Sequence, residues 1–365
     1  MFIVSLAARI MIGLLVVASV LPLLPVGAWM VRLFDFPRLQ IAALATLALA
    51  AVLMCSSHSG WSNSLVAWVV ASLAIVAWQV GHVVPYTPCW PPEIQAAEGE
   101  ADVTLTVAVV NLEFDNPKKQ EALDTLRRQN ADLLLLIEYN QAWQEALAPL
   151  KGEFPHRQGV VAEKGLGLML WSKLPLIDSK VRYLVSDDRP SVFADVEYTD
   201  GRRAHFIGLH PTPPGLEKRQ DDGRHDSRIR DAELMLVAEH VAEHPDDDWI
   251  VTGDFNDVAW SHTTRLFKRM SGLKDPRIGR GLLNTYHAQY PVIRFPIDHV
   301  FLPASARMVR VERFHPTGSD HFAIVAEFTL NGNEPTEPEP QGNDEEEAEE
   351  LVDEGMNDAE ETSEP

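Results

Sequence analysis

Charge is almost missing from the first quarter of this chain. Residues 1–95 carry only Arg9, Arg32, Arg38, Asp35 and Glu93 as charged side chains, which excludes an ordinary water-facing surface for that segment. Cysteine is scarce too: Cys55 and Cys89 are the only two in 365 residues. They lie at opposite ends of one apolar run and cannot pair within the chain, so a disulfide framework is excluded, as is the Cys/His spacing of a structural zinc site. The other end of the chain lacks positive charge, with 15 Asp and Glu and no Lys or Arg between residues 331 and 365. Setting both ends aside leaves 36 acidic and 28 basic residues, a net −8, over residues 96–330. That stretch has no Lys/Arg-dense stripe, which argues against a strong duplex-DNA-binding surface.

What the first quarter does contain is three apolar runs, at about 10–31, 39–55 and 65–84. Each comes close to the ~20 helical residues needed to cross a bilayer core. Three runs in succession do not fit a cleavable signal peptide. Residues 1–85 therefore read as a multi-pass membrane anchor of three transmembrane helices, with Ala42, Ala45 and Ala48 permitting close packing and Trp29, Trp61, Trp78 and Trp90 near the run ends. Arg32 and Arg38 favour a cytoplasmic first loop while Arg9 draws the N-terminus to the same side, so the face occupied by the rest of the chain stays open. Residues 86–102, with Pro88, Pro91 and Pro92, read as a stiff linker, and 331–365 as a disordered acidic tail.

Between linker and tail, residues 103–330 show a repeated design: a β-rich apolar run that stops at a polar residue. Residues 103–111 end on Asn111, with Glu113 just beyond, and 131–137 end on Glu138. Residues 202–209, after an Asp200-Gly201 turn, end on His210 and a proline-fixed loop. The pair Ile250 and Val251 runs into Gly253, and Asp254, Asn256 and Asp257 follow in quick succession. Asp298 and His299 fall within an apolar strand at 294–302, and Asp320 and His321 precede a last strand at 322–328. Further strands are expected at 165–171 and 191–198, and helices at 118–129 and 224–243. Strand ends deliver side chains to a sheet edge, where chemistry commonly sits. Carboxylate and amide oxygens suit Mg²⁺, and histidine has the pKa range for proton transfer or for a cationic phosphate contact.

In this order, Asn111, Glu138, His210, the Gly-Asp-X-Asn of Asp254 and Asn256, Asp298, and the Ser-Asp-His of Asp320 and His321 resemble the endonuclease/exonuclease/phosphatase superfamily. With its apolar N-terminus the chain is similar to the membrane-anchored bacterial members. The resemblance implies an α+β fold, a four-layered αββα sandwich of the DNase type preceded by the transmembrane helices, and a location in a bacterial inner membrane. It implies Mg²⁺ or Mn²⁺ held by Asn111, Glu138, Asp254 and Asp320. Asp254 would orient or deprotonate the attacking water, Asn111, Asn256 and His321 would bind the phosphate, Asp298 would pair with His321, and His210 would act as general acid.

Two features depart from a nuclease pattern. The basic and aromatic insertions of relatives acting at abasic DNA have no clear equivalent, and His299 stands where many relatives carry an aromatic residue. The expected function is a membrane-anchored, metal-dependent phosphoester hydrolase acting on a lipid headgroup, a nucleic acid or a soluble phosphoester. The alternative is a catalytically silent scaffold that recruits a basic partner through the acidic tail.

Overall fold

The computed structural model describes residues 2–24, 27–56, 61–98, 104–198, 201–214, 226–330 and 334–363. Residues 103, 200, 224 and 331, at which a strand, a turn, a helix and the tail are expected to begin, lie outside these.

Among the described residues, three helices are long and apolar enough to cross a membrane, over Phe2–Leu23, Arg38–Ser56 and Asn63–Tyr86. Their α-helical parts are α1 (Phe2–Val20), α3 (Arg38–Ser56) and α4 (Asn63–Val83). The first begins and ends earlier than the apolar run at 10–31 suggests. Pro22 has no N–H to continue the α-helical ladder, and the chain leaves α1 through a short 3₁₀ turn at Leu21–Leu23. The end of that run instead contributes to a separate short helix, α2 (Trp29–Arg32). A polar chain ties the bundle together: Arg38 donates to Asp35 (2.5 Å) and Gln79 (3.1 Å), and Gln79 donates to Ser19 (2.9 Å). Interhelical hydrogen bonds of this kind fix how apolar helices pack.

The remainder is a two-sheet sandwich. One sheet has six strands in the order β10-β11-β1-β2-β4-β3, and the other five in the order β5-β6-β7-β8-β9. The strands are β1 (Leu105–Asn111), β2 (Leu133–Ile137), β3 (His156–Val160), β4 (Leu168–Ser172), β5 (Leu176–Tyr183), β6 (Pro190–Glu197), β7 (Arg203–Leu209), β8 (Trp249–Asp254), β9 (Asp298–Phe301), β10 (Ala306–Phe314) and β11 (Ala323–Leu330). The β1–β2 and β7–β8 pairs are parallel, and the other pairs are antiparallel. Every residue of β1 and β2 is buried, as strands covered on both faces must be.

The period of two divides their side chains. Val107, Val109, Leu133 and Leu135 enter the core between the sheets with Val192, Phe206 and Ile250. Ala108, Val110, Leu134 and Leu136 face α5 (Lys119–Arg128) and α6 (Gln141–Ala146). On the far side, Ile207 and Val251 pack with Leu234 and Val237 of α7 (Arg228–Ala242) and Phe267 of α8 (His262–Ser271). The expected αββα layering is thus observed. Between β7 and β8 the backbones approach so closely that a Cβ on Gly253 would stand 2.0 Å from the Leu209 carbonyl oxygen.

The acidic C-terminal segment differs from the expectation of disorder. It forms α9 (Asp344–Ser363), which places Ala348, Leu351 and Val352 in the α7 cluster. Ion pairs from Arg269 to Asp344 (2.5 Å) and Arg228 to Asp358 (3.1 Å), with a hydrogen bond between His262 and Glu347 (2.5 Å), hold it there. The tail's surplus charge is met by cations of the domain, and an apolar stripe at helical spacing supplies the burial.

Candidate active site

The topology explains why the strand-end residues meet. Asn111 closes β1 and Glu138 follows β2, its parallel neighbour; His210 follows β7 and Asp254 closes β8, a second parallel pair. β9 and β11 run antiparallel to β8 and β1, so their starting ends return to the same rim. Asp298 stands directly opposite Asp254 in register. Seven of the eight expected residues line one cleft, namely Asn111, Glu138, His210, Asp254, Asn256, Asp320 and His321. The eighth, Asp298, sits behind His321 and accepts from its Nδ1 (2.9 Å).

Two of these positions bend the backbone into the left-handed region, Glu138 at φ +62° and Asn256 at φ +52°. Asn tolerates this conformation, whereas for Glu it is unusual and costs on the order of 1–3 kcal/mol. At Glu138 the turn brings the carboxylate under the backbone N–H of Phe114 (3.0 Å) and the Asn111 amide (3.2 Å). The same Asn111 nitrogen donates to Asp254 Oδ2 (3.1 Å). One neutral amide therefore stands between two carboxylates.

Burial, followed by the Asp298 carboxylate, raises the Asp254 carboxyl to about 7. Burial also raises Glu138, and burial and Asp320 push Glu113 up to about 7. His321 moves the opposite way: burial lowers its pKa, but the Asp298 and Asp254 carboxylates outweigh burial and raise it to about 10. Its Nε2 lies 3.7 Å from Asp254 Oδ2. His321 is thus a cation between two carboxylates, with Nδ1–H fixed on Asp298.

The residues fit a hard divalent cation. Asp298 Oδ1 is buried without a hydrogen-bond partner among the described residues, and donor atoms of Asp254, Asp298 and His321 lie within 4.8 Å of one another. The Asp254 and Asp298 carboxylates offer hard oxygen donors of the kind that suits a divalent cation.

His299 proves to be structural. It points to the opposite face of β9 from Asp298, accepts from Arg277 (2.7 Å) and donates to the Asp257 carbonyl (2.9 Å). Burial and then Arg277 hold its pKa down near 3. The Asp298–His321 pair therefore forms without interference.

Several cleft residues lie outside the sequence expectation. Arg230, inside α7, is buried against Asp231 (2.7 Å) and donates to the Asn256 carbonyl (2.9 Å), fixing the turn after β8. The Tyr286 ring packs on His321 at 4.9 Å. Trp29 and Arg32 reach the cleft from the apolar N-terminal segment. No local signal marks them, because the contacts that tie them to the cleft, such as Arg230 to Asn256 and Tyr286 to His321, span long sequence separations.

Comparison with known proteins identifies the family and the fold. The model of the Endonuclease/Exonuclease/phosphatase family matches residues 108–321, more than half the chain. Among solved structures, TDP2 of D. rerio complexed with a single-strand DNA product superposes with a TM-score of 0.51 at 15% identity, over 63% of this chain and 100% of that one. The endonuclease/exonuclease/phosphatase from Bacteroides vulgatus gives 0.51 at 17% identity, over 63% and 100%. At such identities the likeness shows the fold. No curated protein matches the sequence. With the family model spanning the site from β1 to His321, the chain belongs to the endonuclease/exonuclease/phosphatase family, whose members are phosphoester hydrolases, generally metal-dependent.

Proposed function

We propose that this chain is a membrane-anchored, metal-dependent phosphoester hydrolase working through Asp254, His321 and His210. The observation that carries the reading is the hydrogen-bonded series Glu138–Asn111–Asp254 beside the Asp298–His321 pair in one cleft. Mg²⁺ or Mn²⁺ held by Asn111, Glu138, Asp254 and Asp320 would supply the positive charge that the phosphoryl oxygens need as the phosphorus is attacked.

The protein's own groups account for the rest. Asp254, with a carboxyl raised to about 7, has the proton affinity to orient a water and take its proton. His321, fixed by Asp298, presents Nε2–H as a cationic donor to a phosphoryl oxygen. Asn256 spends one amide hydrogen on the Pro211 carbonyl (3.0 Å), which holds the loop after His210, and keeps its second for phosphate. His210 at the cleft wall protonates the leaving oxygen. The three long apolar helices support attachment to a membrane. The scaffold alternative loses its free tail, because α9 is folded onto α7.

The test uses the full-length protein in detergent with a panel of phosphodiesters and phosphomonoesters in Mg²⁺. Turnover of at least one ester class, abolished by Asp254→Asn, is expected. A panel without hydrolysis, or an Asp254→Asn variant at the wild-type rate, would refute the reading.

A further inference from the structure

The cleft is not built by the catalytic domain alone. Its volume is about 580 Å³, and Trp29, Arg32, Leu33 and Phe36, from the loop between the first two membrane-crossing helices, form one wall opposite Asp254 and His321. That loop is locked to the domain. Trp260 donates from Nε1 to the Asp35 carbonyl (2.8 Å), Ser227 N–H donates to Gly27 (2.8 Å), and Phe36 packs edge-on against Phe295 at 5.4 Å. Behind α4, the Tyr86 hydroxyl donates to the Ala259 carbonyl (2.7 Å). These attachments place the membrane interface at the mouth of the active site.

Arg32 is the second observation. It is only 7% exposed, and its single hydrogen bond among the described residues is a long one to the Pro22 carbonyl (3.4 Å). Its Nε has no partner, and no carboxylate lies within ion-pair distance among the described residues. The carboxylates its charge reaches, Asp35 and Glu347, are engaged with Arg38 and His262, so an anion supplied by a ligand would complete the pairing of this buried guanidinium.

The rim is the third. Met30 and Leu33 are 63% and 51% exposed, and Val292 and Ile293 are 75% and 51% exposed. Gln40, in the first turn of the α3 span, donates to the Val292 carbonyl, so this apolar tip stands level with the start of a membrane-crossing helix. The same loop carries Tyr286 against His321. Exposed apolar side chains flanking a polar cleft at that level belong in the bilayer interface.

We propose that the cleft takes the phosphoester headgroup of an amphiphile that stays in the bilayer, with an anionic oxygen of the headgroup on Arg32 and the apolar chains leaving past Met30 and Leu33. The inference rests on the hydrolase reading above and adds the substrate class and an anchor-borne binding residue. Water adds to phosphorus, the P–O bond to the leaving alcohol breaks, and the alcohol departs with a proton, leaving the phosphomonoester.

The experiment compares two diesters with one reacting centre, methyl para-nitrophenyl phosphate and hexadecyl para-nitrophenyl phosphate, the latter in mixed micelles with full-length protein. The hexadecyl ester is expected to show a kcat/KM at least about tenfold higher, with a rate that follows its surface mole fraction at fixed bulk concentration. Arg32→Ala is expected to lower kcat/KM about tenfold for both esters, since both present the same phosphodiester oxygens, and Arg32→Lys to restore part of it. Equal kcat/KM for the two esters overturns the inference and leaves the hydrolase reading standing, as does faster turnover of a thymidine para-nitrophenyl phosphate, which would put a nucleotide in the cleft. Hydrolysis of none of these diesters in Mg²⁺ or Mn²⁺ overturns the inference, and only if phosphomonoesters are also left intact does the hydrolase reading fall with it.

Discussion

Glu233 offers a sharp physical test of the scaffold behind His210. It lies within α7, only 2% exposed. It accepts a backbone hydrogen bond from Thr212, and its Oε2 has no partner among the described residues. Burial, offset in part by Arg189 and the Thr212 hydrogen bond, raises its carboxyl from 4.5 to about 8. A raised acid favours folding fully only below its unfolded value. Between 4.5 and 8 the native state holds a proton that the unfolded chain has lost, so stability falls as pH rises through that window. At about 1.36 kcal/mol per unit, the penalty grows by roughly 3 kcal/mol between pH 5 and pH 8. Glu233→Gln keeps the shape and an acceptor for Thr212 and does not titrate. The melting temperature of the variant should therefore pull ahead of wild type as pH rises, by roughly 6–12 °C between pH 5 and 8 at about 2–4 °C per kcal/mol. Scanning calorimetry of both proteins in detergent across that range measures it. Parallel curves for variant and wild type would refute a buried, proton-holding Glu233.

Three further outcomes are expected. Removing residues 334–363 should destabilise the protein by on the order of 2 kcal/mol, because Ala348, Leu351 and Val352 pack on α7, and an unchanged melting temperature would mean that α9 contributes nothing. Gly253→Ala should destabilise strongly and lower expression, since its Cβ would meet the Leu209 carbonyl at 2.0 Å and overpacking costs about 1–3 kcal/mol or more; a well-expressed variant with wild-type melting would contradict that geometry. His210→Ala should lose about 10²–10⁴-fold on an alkyl diester but recover much of the loss with a nitrophenolate leaving group, while His321→Ala stays impaired on both. Equal losses on both substrates would deny the two histidines separate roles.

Much of the site was legible in the sequence because its residues terminate apolar strands. Asn111, Glu138, His210 and Asp254 each follow a run whose burial required a strand, and the polar stop marked the rim. Three strands went unforeseen, β3, β5 and β10, and all are sheet edges. Edge strands carry charged, half-exposed side chains such as Lys180, Arg310 and Glu312 and lack a buried apolar run. Helix α9 was hidden by composition: its acid content points to disorder, yet Ala348, Leu351, Val352 and Gly355 recur at the spacing of one helical face. The parts of the cleft drawn from other elements were not legible. Arg32 sits in an apolar stretch far from His321 in sequence, and only the folded attachment of the N-terminal segment to Trp260 and Phe295 brings them together.

In the proposed reading, Glu138, Asn111, Asp254 and Asp320 hold a divalent cation required for phosphoester hydrolysis. The direct measurement is turnover of a para-nitrophenyl phosphodiester by full-length protein, stripped with chelator and titrated with Mg²⁺ or Mn²⁺, for wild type and Glu138→Gln. Turnover should vanish in chelator, return with either metal, and require about 10–100-fold more metal in the variant, as loss of groups that hold a metal typically does. Full turnover in chelator, or superimposable metal titrations for wild type and Glu138→Gln, would contradict the claim.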